Sequence, residues 1–94
     1  MYRLIITARA ELHTLNACFY YEEQLLGLSQ RFLEELNNVY NKISANPQHY
    51  SYIFPAEKYR DAKLEKFPYV VVFEIYSNDV IVLAVLNTRQ EIKF

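Results

Sequence analysis

A single glycine, Gly27, serves the whole 94-residue chain, together with one cysteine, Cys18, two histidines, three prolines and no tryptophan. Each scarcity closes off a class of function. With one glycine there can be no Gly-rich loop bringing backbone amides against phosphates, so a nucleotide-binding enzyme of that kind is excluded. One cysteine permits no internal disulfide and accords with a reducing compartment, and its neighbours lend it no cationic activation, so it reads as helix filler. His13 and His49 stand far apart, and neither H-x-x-x-H nor C-x-x-C spacing occurs, so no metal and no cofactor is expected. No serine sits at a strand-to-helix elbow beside a well-placed histidine, which leaves a Ser-His-Asp site without support. The opening Met1-Tyr2-Arg3-Leu4-Ile5-Ile6 is too short an apolar run for a signal peptide or a span, and the expectation is a cytoplasmic protein with no membrane partner. A net charge of −1 argues against coating nucleic acid by charge alone, although a local basic patch remains open.

Rings are what the chain has in plenty. Aromatics make up 16% of the residues, nine of them tyrosine, so amphipathic rings must fill both core and surface. Exposed tyrosines of this kind are favoured contact residues, and a partner surface is as good a reading as filler. At this length the chain forms one domain, residues 1–94, able to bury roughly two-thirds of its unfolded surface around one core.

The periodicity divides the chain into six elements. Tyr2 to Thr7 is short, β-branched and aromatic, as a strand should be. From Ala8 the spacing turns helical: Leu12, Leu15, Phe19 and Leu26 form the expected apolar stripe, Thr7 is placed to cap, and Gly27 is the expected stop. Ser29 is the expected cap of a second helix, whose stripe is Phe32, Leu36, Val39 and Ile43 and which ends at Asn46-Pro47. Gln48 to Lys58 has no clean period and reads as a loop or frayed edge with exposed rings. Tyr59 to Leu64, Tyr69 to Tyr76 and Val80 to Leu86 read as strands, the last two joined by Ser77-Asn78-Asp79 and central in the sheet, since their apolar runs are nearly continuous. The fold class is therefore α+β, in the order β-α-α-β-β-β.

The outgoing strand of that hairpin delivers the chain to Arg89, and here the sequence resembles a known family. Ala10-Glu11-Leu12, Tyr20-Tyr21, Gly27-Leu28, Arg31-Phe32-Leu33, the run from Ile43 to Tyr50, Arg60 ahead of Leu64, Lys66-Phe67-Pro68-Tyr69, and Val82-Leu83-Ala84-Val85 running into Arg89 together resemble the RelE/ParE superfamily. These are the small toxins of bacterial type II toxin–antitoxin systems, also called plasmid stabilization proteins. The resemblance implies an antiparallel αα-hairpin packed on one face of a small, mostly antiparallel four-stranded sheet. It also implies a cognate antitoxin as partner and a growth-arresting activity of one of two kinds.

RelE-like relatives cleave mRNA in the ribosome, and ParE-like relatives poison DNA gyrase without known hydrolysis. Cleavage by a 2′-hydroxyl needs a base, cations for the developing charge and an acid. Arg60, Lys63 and Arg89 are the catalytic candidates on that reading, with Tyr59, Tyr69 or Tyr76 as proton donors. Against it, the RelE-like arginine after the third-strand aromatic is Val70 here. The histidine many relatives carry two positions before the last arginine is Asn87, which exchanges no proton near neutral pH. The slight acidity also departs from the basic character of ribosome-targeting members. The ParE-like reading, with gyrase as target, is favoured; ribosome-dependent mRNA cleavage is the alternative, and an inactive toxin fold that only binds antitoxin is a third. Tyr50, Tyr52, Phe54, Arg60, Asn87 and Arg89 are the candidate target- or antitoxin-binding residues.

Overall fold

The computed structural model describes residues 1–55 and 57–89. Strand β1 (Arg3–Ile6) leads into helices α1 (Ala8–Gln24) and α2 (Leu28–Ala45), a 3-10 turn at Pro47–His49, and strands β2 (Arg60–Lys63), β3 (Tyr69–Tyr76) and β4 (Asp79–Asn87). The sheet order is β1-β4-β3-β2, with β1 parallel to β4 and the other pairs antiparallel. The two long apolar strands are central, as their sequence runs predict.

Thr7 joins the first strand to the first helix by two bonds of one hydroxyl. Its Oγ1 donates to the Val82 carbonyl at 2.8 Å and accepts the Ala10 N–H at 3.3 Å, capping α1 while fixing it to β4. A cap of this type contributes about 1 kcal/mol. On the helix side of the sheet, Val71, Phe73, Val80, Val82 and Val85 meet Phe32, Leu36 and Ile43 of α2, all of them buried. The α2 stripe is thus the one its spacing predicts. Alternate sheet positions Val70, Val72 and Ala84 are buried too, although they lie outside that cluster.

The first helix departs from expectation. Leu12, Leu15, Phe19 and Leu26 are exposed at 56%, 52%, 64% and 89%, and α1 instead buries Ala10, Ala17 and Tyr21. At about 100° per residue Leu12, Leu15 and Phe19 lie on nearly the opposite face from the buried three, and Leu26 falls beyond the end of the helix. The physical reason is close approach: with Ala10 and Ala17 inward, the α1 backbone can lie near α2 and β4, and larger side chains would hold it away. Double substitution of Leu12 and Phe19 by serine is therefore expected to cost less than about 1 kcal/mol in urea unfolding, as at ordinary surface sites. A loss of several kcal/mol would mean these side chains are core after all.

The inter-helix turn also differs in detail. Helix α1 stops at Gln24, and Gly27, at φ 88°, is the left-handed residue that precedes α2, not the end of α1. Ser29 does not cap, because the Glu22 carboxylate does: it accepts the Gly27 and Ser29 N–H groups and the Ser29 hydroxyl at 2.7 Å. These bonds, the hydroxyl's foremost, hold the Glu22 carboxyl below its ordinary pKa. Two smaller corrections concern the strands. The β3–β4 turn is two residues, Ser77-Asn78, with Asp79 already paired to Tyr76, and β2 begins at Arg60, leaving Tyr59 outside.

Leu83 is the extra residue where the register jumps from Val72↔Ala84 to Phe73↔Val82. Just beyond this bulge the Val85 N–H donates to His13 Nδ1 at 3.2 Å. Burial first, and the charge of Arg9 second, hold the His13 pKa below its ordinary 6.5. The unfolded chain thus takes up this proton first, so the stabilisation is complete above about pH 6.5 and is lost as pH falls below it. Urea midpoints are expected to decline through that window before carboxylates begin to titrate. His13→Asn, with a non-titrating carbonyl near the Nδ1 position, should flatten the decline; an unchanged slope would assign it to other groups.

Candidate interaction cleft

The rings of Tyr21, Phe32, Phe67 and Tyr69 form one cluster, with edge-on or tilted pairs whose centroids lie 4.9 to 6.0 Å apart. Tyr20 adds an edge contact to Tyr21 at 5.3 Å. This cluster ties the end of α1 and the start of α2 to the β2–β3 loop, and the loop is closed by main-chain bonds. The Glu35 carboxylate on α2 accepts the Lys66 N–H at 3.0 Å, the Thr88 N–H donates to the Pro68 carbonyl at 2.7 Å, and Asn87 Oδ1 accepts the Arg89 N–H at 2.8 Å. Three separate segments therefore converge on one place.

Between them lies a cleft of about 1130 Å³. Tyr20, Tyr21, Tyr50 and Phe67 contribute rings to its wall, and Arg31, Lys42, Lys63, Lys66 and Arg89 contribute cations. A smaller hollow of about 240 Å³ on the β2–β3 loop shares Lys63, Lys66 and Arg89. Of the sequence candidates, Tyr50, Lys63, Asn87 and Arg89 come together here. Arg60, Tyr52 and Phe54 do not line it.

Arg60 is engaged with its own loop. Its guanidinium lies 3.9 Å from the centre of the Tyr52 ring, and Nη1 donates to the carbonyls of Tyr50 at 2.6 Å and Gln48 at 3.4 Å. The Tyr50 ring in turn packs edge-on against Phe73, 5.8 Å between centroids. Phe54 stands 92% exposed. The proton-donor candidates scatter as well. Tyr76 is at the hairpin end of β3, the opposite end from Arg89, and the Tyr59 ring has the Lys58 ammonium 5.4 Å from its centre. Tyr69 is buried beside Asn87, and burial pushes its pKa up. Tyr21 is pushed to about 12, by burial first and then by Tyr69 and Tyr20, with Arg89 opposing. Phenols so displaced are poorly matched to proton transfer near neutral pH.

Arg31, Lys42 and Lys66 were not singled out as site residues by the sequence. The signal available was the polar stripe of α2, in which Arg31, Glu34, Glu35, Asn38 and Lys42 recur at helical spacing. Among the described residues no group of three or more His, Cys, Asp or Glu side chains is placed to hold a metal, and no helix is long and apolar enough to cross a membrane.

Residues 4–92 match the family described as the ParE toxin of the type II toxin–antitoxin system parDE. Among solved structures, the chain is similar to a chain of the chromosomal ParDE toxin–antitoxin system from P. aeruginosa. The TM-score is 0.70 at 14% identity, over 93% of this chain and 96% of that one. The search of curated protein sequences gave no match.

Proposed function

The chain belongs to the ParE toxin family of type II toxin–antitoxin systems, and from that premise we propose that it arrests growth by binding DNA gyrase in the cytoplasm and is silenced by a cognate antitoxin. The observation that carries the reading is the family match over residues 4–92. The geometry supports it over mRNA cleavage. Arg60, one of the three catalytic candidates, spends its guanidinium on Gln48, Tyr50 and Tyr52, away from Arg89. The position where a proton-exchanging histidine would stand holds Asn87, whose Oδ1 fixes the Arg89 backbone.

An antitoxin has suitable ground to cover. The outward stripe of Leu12, Leu15 and Phe19 on α1 and the exposed Tyr52 and Phe54 are large apolar side chains left in solvent, and such surfaces mark protein contacts. Alanine at Phe54 and Phe19 is expected to weaken antitoxin binding; unchanged affinity would remove these residues from the contact.

The test of the function is induced expression without antitoxin, wild type against Arg89→Ala, following the DNA damage response and the integrity of translated mRNA together. Arrest with DNA damage and intact transcripts is the expected result. Codon-linked cuts abolished by Arg89→Ala would replace the gyrase reading with the nuclease, and absence of arrest would leave an inactive toxin fold.

A further inference from the structure

Charge in this chain is unevenly spread. Five of its ten Lys and Arg residues line the one cleft, against three acids, Glu34, Glu35 and Glu65, although the chain as a whole carries −1. The ion pairs among the described residues, Arg3 with Asp79 and Lys58 with Glu74, lie elsewhere. None of the five cleft cations has an acidic partner among the described residues. Glu35 is turned to the Lys66 backbone N–H and not to a neighbouring ammonium.

The cations are not placed at random. Arg31 is in the first turn of α2 and Lys42 in its last, so they mark the two ends of one wall, while Lys63, Lys66 and Arg89 gather about the β2–β3 loop on the other. Between the walls lie the rings of Tyr20 and Phe67, the former 54% exposed. A ligand matching this outline carries separated negative charges with an apolar side chain between them. A nucleic-acid strand fits less well: its evenly spaced phosphates would run past Glu34 and Glu65 in the same lining, and the chain's net charge gives no long-range attraction.

We propose that this cleft seats an acidic, apolar-anchored segment of the toxin's protein target, with Lys63, Lys66 and Arg89 taking carboxylates from one wall and Arg31 and Lys42 from the other. The inference rests on the reading that the toxin acts by binding a protein. It separates two surfaces: the cleft for the target, and the outward face of α1 with the Tyr52–Phe54 loop for the antitoxin. Arg89 is presented for this purpose by the Asn87 side chain that accepts its N–H, and Lys66 by the loop that Glu35 pins.

The test uses the full chain with Lys63→Glu/Lys66→Glu, and Arg9→Glu on the outside of α1 as control. Three things are measured: inhibition of gyrase supercoiling, affinity for the antitoxin, and binding of a labelled peptide alternating glutamate and leucine. The double variant should lose at least about tenfold in both gyrase inhibition and peptide binding, since two reversed charges turn attraction into repulsion. Its antitoxin affinity and melting temperature should stay at the wild-type level, and Arg9→Glu should leave gyrase inhibition and peptide binding unchanged. Binding of the peptide should weaken as salt is raised, because these charges face solvent.

Gyrase inhibited equally by wild type and double variant would overturn the cleft assignment while leaving the gyrase reading standing. Wild-type toxin that binds the peptide through Lys63 and Lys66 but spares gyrase would overturn the gyrase reading and support the cleft. Loss of antitoxin binding in the double variant would assign the cleft to the antitoxin, and preference for a single-stranded oligonucleotide over the peptide would assign it to RNA; either result overturns the proposal.

Discussion

Phe32→Ala is expected to remove about 3–5 kcal/mol of stability, the range for deleting a buried aromatic ring. The side chain is fully buried, and its ring lies 5.4 Å from Tyr21, 5.3 Å from Phe67 and 5.1 Å from Tyr69. Truncation leaves a cavity that two helices and the sheet all border, so it cannot collapse by moving one of them. Three ring contacts vanish together, and edge-on pairs contribute beyond the area they bury. Since small domains are stable by only about 5–15 kcal/mol, the variant should melt roughly 15 °C or more below wild type. Phe32→Leu, which keeps most of the volume, should lose about 1–2 kcal/mol. Thermal melts by circular dichroism decide it: a loss from alanine no greater than from leucine would show that the cluster is not the keystone of the helix–sheet junction. The same variant should disturb the cleft, whose wall is built on these rings.

Arg60→Ala is expected to cost about 1.5–3 kcal/mol, the range for hydrogen bonds from a charged donor, because it leaves the partly enclosed Tyr50 carbonyl without its 2.6 Å partner. The stacked ring of Tyr52 loses its cover at the same time. Lysine should restore little, since an ammonium cannot lie flat on a ring while reaching two carbonyls. The local signature is faster hydrogen exchange at the Ile53 amide, which donates to the Tyr59 carbonyl across this loop at 2.8 Å. Folded Arg60→Ala protein should still inhibit its target. Should it instead keep full stability and lose all activity, Arg60 would return to the site as a functional cation.

These two residues show why parts of the molecule can be read from its sequence and parts cannot. Strand β3 was legible because a strand buried on both faces needs an unbroken apolar run, β4 because its apolar run alternates buried with half-buried positions, and α2 because Phe32, Leu36, Val39 and Ile43 coincide with the face it buries. Helix α1 is hard to read because its most conspicuous apolar stripe is not the face it buries. Leu12, Leu15 and Phe19 point outward, and the packed face is Ala10 and Ala17, whose contribution is closeness and not area, with Tyr21 as its one large side chain. In the cleft, Arg89 was visible because the hairpin delivers it. Arg31, Lys42 and Lys66 belong to segments that only the tertiary fold brings together, and nothing local distinguishes them from ordinary solvated charge. The role of Arg60 was hidden for a related reason, since its partners are backbone carbonyls that no side-chain motif announces.

The parallel pairing of β1 with β4 sets the order of events during synthesis. Arg3 sits opposite Asp79 and Ile6 opposite Val82, and Thr7 reaches the Val82 carbonyl across 75 positions of chain. Strand β1 thus has no sheet partner until β4, the last strand of the sheet in chain order, emerges. Helices α1 and α2 can form early, but the layer they cover is absent until then. Interrupted synthesis before residue 79 leaves fragments without a closed sheet and without Arg89, so Lys63 and Lys66 lack the third cation of their cluster. A chain of the ParE toxin family built this way closes its sheet only once β4 has been made.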